Sequence, residues 1–183
     1  MRIISGSARG RKLKELQGMD TRPTTDKVKE SLFNIIQFDI EGRRVLDLFA
    51  GTGQLGLEAL SRGAEHCTFV DRRQEAAALV RENLKLCRFA DRARVVQGEA
   101  QAFLSSCTEQ FDIIFLDPPY KTDLMQQCLE EIAGFDILRE HGIIVCESAA
   151  DQPMSPLPPQ FEGERVYRYG KIKLTVRRRL GER

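Results

Sequence analysis

Five cysteines, an odd number at positions 67, 87, 107, 128 and 146 and with no Cys-x-x-Cys pair, offer neither a disulfide framework nor a zinc site. They read as reduced, buried thiols. Only two histidines occur, His66 and His141, and they are isolated, so a histidine-based metal centre or triad has little support. No apolar run approaches the roughly 20 residues that span a bilayer, and the first residues carry no apolar core of a signal peptide. Low-complexity tracts are missing too. A cytoplasmic, monomeric protein with no membrane or metal partner is expected, and 183 residues are enough for one domain with a substantial core.

Acidic residues are absent from two stretches. Residues 1–14 carry Arg2, Arg9, Arg11, Lys12 and Lys14, and residues 165–179 carry Arg165, Arg168, Lys171, Lys173, Arg177, Arg178 and Arg179. Twelve of the 28 basic residues therefore sit beside none of the 27 acids, and the rest of the chain is formally acidic although the whole is only +1. Two basic ends on an acidic body suggest a polyanionic partner, with phosphate the obvious candidate.

Turn-rich Ser5-Gly6-Ser7-Ala8-Arg9-Gly10 lies between Arg2-Ile3-Ile4 and Arg11-Lys12-Leu13, which predicts a small basic β-hairpin outside the main fold. Residues 1–20 are accordingly expected as an extension and residues 21–183 as the principal domain. Arg22-Pro23-Thr24-Thr25-Asp26 opens a helix in which Val28, Leu32, Ile35 and Ile36 form the packing face, leaving Lys27, Lys29 and Glu30 to face elsewhere.

From position 44 strands and helices alternate. Strands are expected at 45–49, 66–71, 94–97, 111–116 and 143–147, with helices after Gly56, at 74–86, around Ala102 and at 124–133. Such a series implies a parallel sheet with helices on both faces. Beyond a proline-rich stretch, 165–169 and 172–176 are joined by Gly170-Lys171, a turn that permits only antiparallel pairing. The expected fold is α/β and Rossmann-like: a mostly parallel, seven-stranded sheet closed by an antiparallel hairpin.

The most informative stretch is Asp117-Pro118-Pro119-Tyr120, at the end of the apolar run 111–116. Two prolines stiffen the turn and remove two backbone donors, leaving carbonyls that accept. A carboxylate, rigid carbonyls and a flat ring suit a planar group bearing an NH2, held for reaction.

A second signal is Gly51-Thr52-Gly53-Gln54-Leu55-Gly56, a G-x-G-x-x-G sequence followed by Asp71 at the end of the next strand. Alone it permits a dinucleotide site, with Asp71 on a ribose hydroxyl. Asp47, inside the preceding strand, would add negative charge beside a pyrophosphate. The acidic loop better suits the sulfonium and ammonium groups of S-adenosylmethionine. Gly98-Glu99-Ala100, after the third strand, is placed to reach an adenine.

With these motifs the chain resembles the class I S-adenosylmethionine-dependent methyltransferases, and more closely the bacterial 16S rRNA (guanine-N2)-methyltransferase family of the RsmD type. The specific stretches are Arg2-Ile3-Ile4-Ser5-Gly6 with Arg9-Gly10-Arg11, and Arg22-Pro23-Thr24 with 27–34; the glycine loop, Asp117 to Tyr120 and 143–147 extend the likeness. Glu99 departs from the Asp of many relatives. The resemblance implies methylation of a guanine N2 amino group in 16S rRNA, within the small subunit or an assembly intermediate. Asp117, Pro118 and Tyr120 would serve catalysis. Asp47, Phe49, Gly51, Thr52, Gly53, Asp71, Glu99 and Ala100 would bind S-adenosylmethionine, and Arg9, Arg11, Lys12, Arg22, Thr24 and Lys27 would contact RNA. Competing readings are an adenine-N6 methyltransferase acting on DNA or RNA, a protein glutamine methyltransferase, an NAD-dependent oxidoreductase and a non-catalytic RNA-binding module.

Overall fold

The computed structural model describes residues 1–17, 25–119, 123–153, 157, 159–161 and 163–181. Thr25 caps helix α1 (Asp26–Ile35) by accepting a hydrogen bond from the Val28 amide, and Asp26 complements the positive end of the helix. Then follow β1 (Arg44–Leu48), α2 (Gln54–Ser61), β2 (His66–Asp71), α3 (Gln74–Cys87), β3 (Ala93–Gln97), α4 (Ala100–Ser106), β4 (Phe111–Leu116), α5 (Leu124–Gly134), β5 (Leu138–Ala149), β6 (Arg165–Tyr169) and β7 (Ile172–Arg178).

These strands form one seven-stranded sheet in the order β3-β2-β1-β4-β5-β7-β6. The first five are parallel; β7 enters antiparallel to β5, and β6 antiparallel to β7. The expected α/β fold with its closing hairpin is therefore present. Alternation along the strands divides the core. Val45, Phe69, Phe115, Val145 and Leu174 pack toward α1, α2 and α3. Leu46, Leu48, Ile114, Leu116 and Cys146 pack toward α4 and α5 on the other face. Phe33 of α1 meets Phe115 of β4 with ring centroids 5.7 Å apart and planes tilted by 59°. Such pairs are worth about 0.5–1.5 kcal/mol beyond their buried area. All five cysteines are free, and burial pushes the Cys128 and Cys146 thiols up to about 12.

Three features differ from expectation. Strand β5 begins at Leu138, five residues before the expected start, because Leu138 pairs with Phe111 across a bulge. His141 takes the left-handed φ of 63° inside it, and its amide donates to the Arg179 carbonyl.

Lys29, expected to face outward, is wholly buried. Its ammonium donates to the Arg2 carbonyl at 2.6 Å and lies 3.7 Å from the equally buried Glu58 carboxylate. Burial lowers its proton affinity, and Glu58 partly restores it.

The hairpin, finally, is fastened to the main fold. Arg2 and Lys12 bridge antiparallel, and Ile3, Ala8 and Leu13 are buried in the same cluster as α1 and α2. Glu58 accepts from the Ile4 and Ser5 amides at 2.7 and 3.2 Å, and the Ser61 hydroxyl accepts from the Ala8 amide at 3.0 Å. A Cβ on Gly6 would stand 1.9 Å from the Ser61 carbonyl oxygen, so backbone meets backbone there.

Candidate active site

All five parallel strands deliver their carboxyl ends to one edge, the edge where open α/β sheets bind ligands. At the end of β1 the chain turns through Phe49 at φ 67°, a left-handed conformation that costs a non-glycine residue about 1–3 kcal/mol. The loop is then held by a series of hydrogen bonds. The Ala50 amide donates to the Val70 carbonyl, the Gly53 amide to the Ala50 carbonyl at 2.8 Å, and the Gly51 amide to Asp71 Oδ2 at 2.9 Å. Gly56 lets α2 lie on β2, since a Cβ there would come within 2.3 Å of the Phe69 ring.

Asp71 thus already serves the loop. Its other oxygen accepts from the Arg73 amide and side chain at 2.9 and 3.2 Å, so a ribose would compete with Arg73 for this carboxylate. Arg73 had no signal in the sequence beyond its place at the start of α3. Asp47 is buried, 3% exposed, and accepts the Gly56 amide at 3.0 Å. Burial pushes its carboxyl up to about 8; the Gly56 bond opposes this and the charge of Asp71 adds to it.

Asp117 follows directly on β4. It keeps some solvent contact, yet it lies deep among protein atoms, and desolvation holds its carboxyl well above the ordinary range, with Glu147 and then Asp47 adding to the effect. Pairing of Leu116 with Cys146 brings Asp117 into line with Glu147 on the neighbouring strand. Alternation turns Asp47 and Glu147 to the face that carries Val45 and Val145. The Asp117 carboxyl therefore senses those of Glu147 on β5 and Asp47 on β1. Glu147 was visible in the sequence only as a strand end; its role depends on β4 and β5 being neighbours.

Pro118 is buried and Pro119 is exposed. Tyr120, Arg22 and Thr24 lie outside the described residues. Thr52 and Gly53 sit in the loop beside Gly51, whereas Glu99 is an exposed residue preceding α4 and Ala100 is buried in its first turn. Glu99 lines a groove of about 360 Å³ with Arg94, Val96, Gly98 and Phe103. That groove runs between β3 and α4 and is not lined by Asp117 or by the Gly51 loop. Arg9, Arg11, Lys12 and Lys27 are all exposed: the first three belong to the hairpin and Lys27 to the first turn of α1.

A parallel sheet with an antiparallel terminal hairpin, a glycine loop after β1 and an acid ending β2 defines the class I methyltransferase fold. Within that class the chain belongs to the family described as Conserved hypothetical protein 95, whose model matches residues 1–178. It is 34% identical to the ribosomal RNA small subunit methyltransferase D of Escherichia coli K12, over 100% of this chain and 92% of that protein. The protein of the same name from Haemophilus influenzae is 38% identical over 84% of this chain and 81% of its own. The solved structure of Escherichia coli YhhF superposes with a TM-score of 0.90 at 34% identity, covering 100% of this chain and 99% of that one.

Proposed function

We propose that this protein transfers a methyl group from S-adenosylmethionine to the exocyclic N2 of a guanine in 16S rRNA. The observation that carries the reading is the placement of Asp117 and Pro118 at the end of β4, on the sheet edge that also presents the Gly51–Asp71 loop. Family membership supports it, since its relatives include proteins named for methylating small-subunit ribosomal RNA.

The loop would hold the amino-acid end of the methyl donor against the Gly51 and Gly53 backbone, with Asp71 on its ribose. When bound, the donor supplies a methyl group already activated on a sulfonium. Asp47 and Asp117 hold their protons unusually tightly without a ligand, and a cation placed beside them would favour their ionised forms. Asp117 thereby becomes an acceptor when it is needed. Its carboxylate and the Pro118 carbonyl would accept the two N2 hydrogens and aim the nitrogen lone pair along the S–CH3 axis, so that positioning supplies most of the catalysis. Asp117 or solvent would take the proton that the nitrogen loses on methylation. The base must leave its stack, at about a few kcal/mol. Arg9, Arg11, Lys12 and Lys27, with Arg22 and Thr24, would hold phosphates without reading sequence.

The test is methyl transfer to small subunits from cells lacking the gene, followed by mass-spectrometric mapping of the modified nucleotide. Asp117→Ala should abolish transfer while S-adenosylhomocysteine still binds. Turnover like the wild type would refute the role of Asp117, and modification of an adenine would favour the adenine-N6 reading.

A further inference from the structure

The hairpin and the glycine loop are joined through one side chain. Asn83, on α3, is fully buried. Its Nδ2 donates to the Thr52 carbonyl at 3.0 Å and to the Lys14 carbonyl at 3.1 Å, while its Oδ1 accepts the Lys14 amide at 2.8 Å. Both amide hydrogens are thus used, one toward the loop and one toward the chain that leaves the hairpin. The hydroxyl of Thr52 meets the Met1 sulfur at 3.5 Å, a second contact between the same two segments.

Thr52 lies between Gly51 and Gly53, at φ 58° and 82°, and glycines on both sides let its peptide units rotate at little steric cost. Asp71 restrains the Ala50–Gly51 peptide by accepting from the Gly51 amide. Asn83 restrains the Thr52 carbonyl. Two of the hairpin's other anchors, Glu58 and Ser61, reach it from the middle and end of α2, and their bonds to it do not involve this loop.

We propose that Asn83 is a positioning residue that sets the peptide geometry of the Gly51–Gly53 loop by tying it to the Lys14 segment that leaves the hairpin. Neither the methyl donor nor RNA needs to touch it. The inference rests on the loop being the methyl-donor site, as proposed above.

The test uses the full chain, with S-adenosylhomocysteine as calorimetric probe and amide hydrogen exchange without ligand. Asn83→Asp can still accept the Lys14 amide but cannot donate to Thr52, and Asn83→Ala can do neither without adding charge. Ser61→Ala loosens the hairpin at its other anchor and is the control. Both Asn83 variants should weaken S-adenosylhomocysteine about tenfold, the loss expected for one buried hydrogen bond. Exchange should quicken at 51–53 and at 3–13 together. Ser61→Ala should quicken exchange in the hairpin alone and leave the ligand affinity within about twofold. Wild-type affinity and wild-type loop exchange in a folded Asn83 variant would overturn the proposal. If the wild type itself fails to bind the probe, the methyl-donor reading fails, and unchanged loop exchange in the variants would still separately overturn the role of Asn83.

Discussion

Replacing Asp47 by Asn should make the ligand-free protein more stable, and increasingly so as pH rises. Burial pushes the Asp47 carboxyl up to about 8, so between the ordinary carboxylate value near 4 and about 8 the folded protein holds a proton that the unfolded chain releases. Wild-type stability must fall as pH rises through that window. Each unit of displacement is worth about 1.4 kcal/mol, so the loss is at most about 6 kcal/mol. Asn is nearly isosteric, carries no charge, and its Oδ1 can take over the 3.0 Å bond from the Gly56 amide. Against this, its NH2 group is buried without an assured partner, at about 1–3 kcal/mol, and that cost does not vary with pH. Urea unfolding near pH 4.5 and near pH 8.5 separates the two contributions. The variant's advantage over wild type should grow by at least about 2 kcal/mol across that interval. A difference that stays constant with pH would refute a strained, buried Asp47. On the proposed reading the same variant should bind S-adenosylmethionine more weakly, because the carboxylate that destabilises the fold would be the one offered to the cation.

Lys29→Met removes one partner of a buried ion pair and leaves Glu58 with Arg62, 3.4 Å away, and two hairpin amides. Breaking such a pair costs about 3–5 kcal/mol, toward the lower end here because Arg62 remains, and urea unfolding should show it. Replacing Arg9, Arg11 and Lys12 together by Gln should weaken RNA binding and lower the slope of log affinity against log salt by about 2, as expected for three lost contacts to a single strand. An unchanged slope in filter binding would remove the hairpin from the RNA interface.

Much of this architecture was legible because the strands are short apolar runs bounded by turn residues. The expected bounds of β2 at 66–71 and β4 at 111–116 coincide with those observed, and Gly170-Lys171 forms the expected turn. Errors arose where residue type and position disagree. Lys29 precedes Leu32 and Phe33 by three and four residues, the helical spacing of one face, yet its charge argued for solvent. Only a nonlocal partner, Glu58 on α2, makes the inward position tolerable. The first half of β5 contains exposed Arg139, Glu140 and His141, and it is held in the sheet by pairing with distant segments that local pattern does not reveal. Glu147 and Asn83 were hidden for the same reason, since each acquires meaning from what the topology sets beside it.

The contact between Gly6 and Ser61 makes the hairpin a fixed arm. Backbone abuts backbone there, and Glu58 and Asn83 hold the segments on either side, so the cationic tip is carried by α2 and α3. On the proposed reading, an RNA gripped by a tip so seated would present to the site only the nucleotide that its own fold carries there. Selection by ruler could then reject other guanines without a single contact to a neighbouring base.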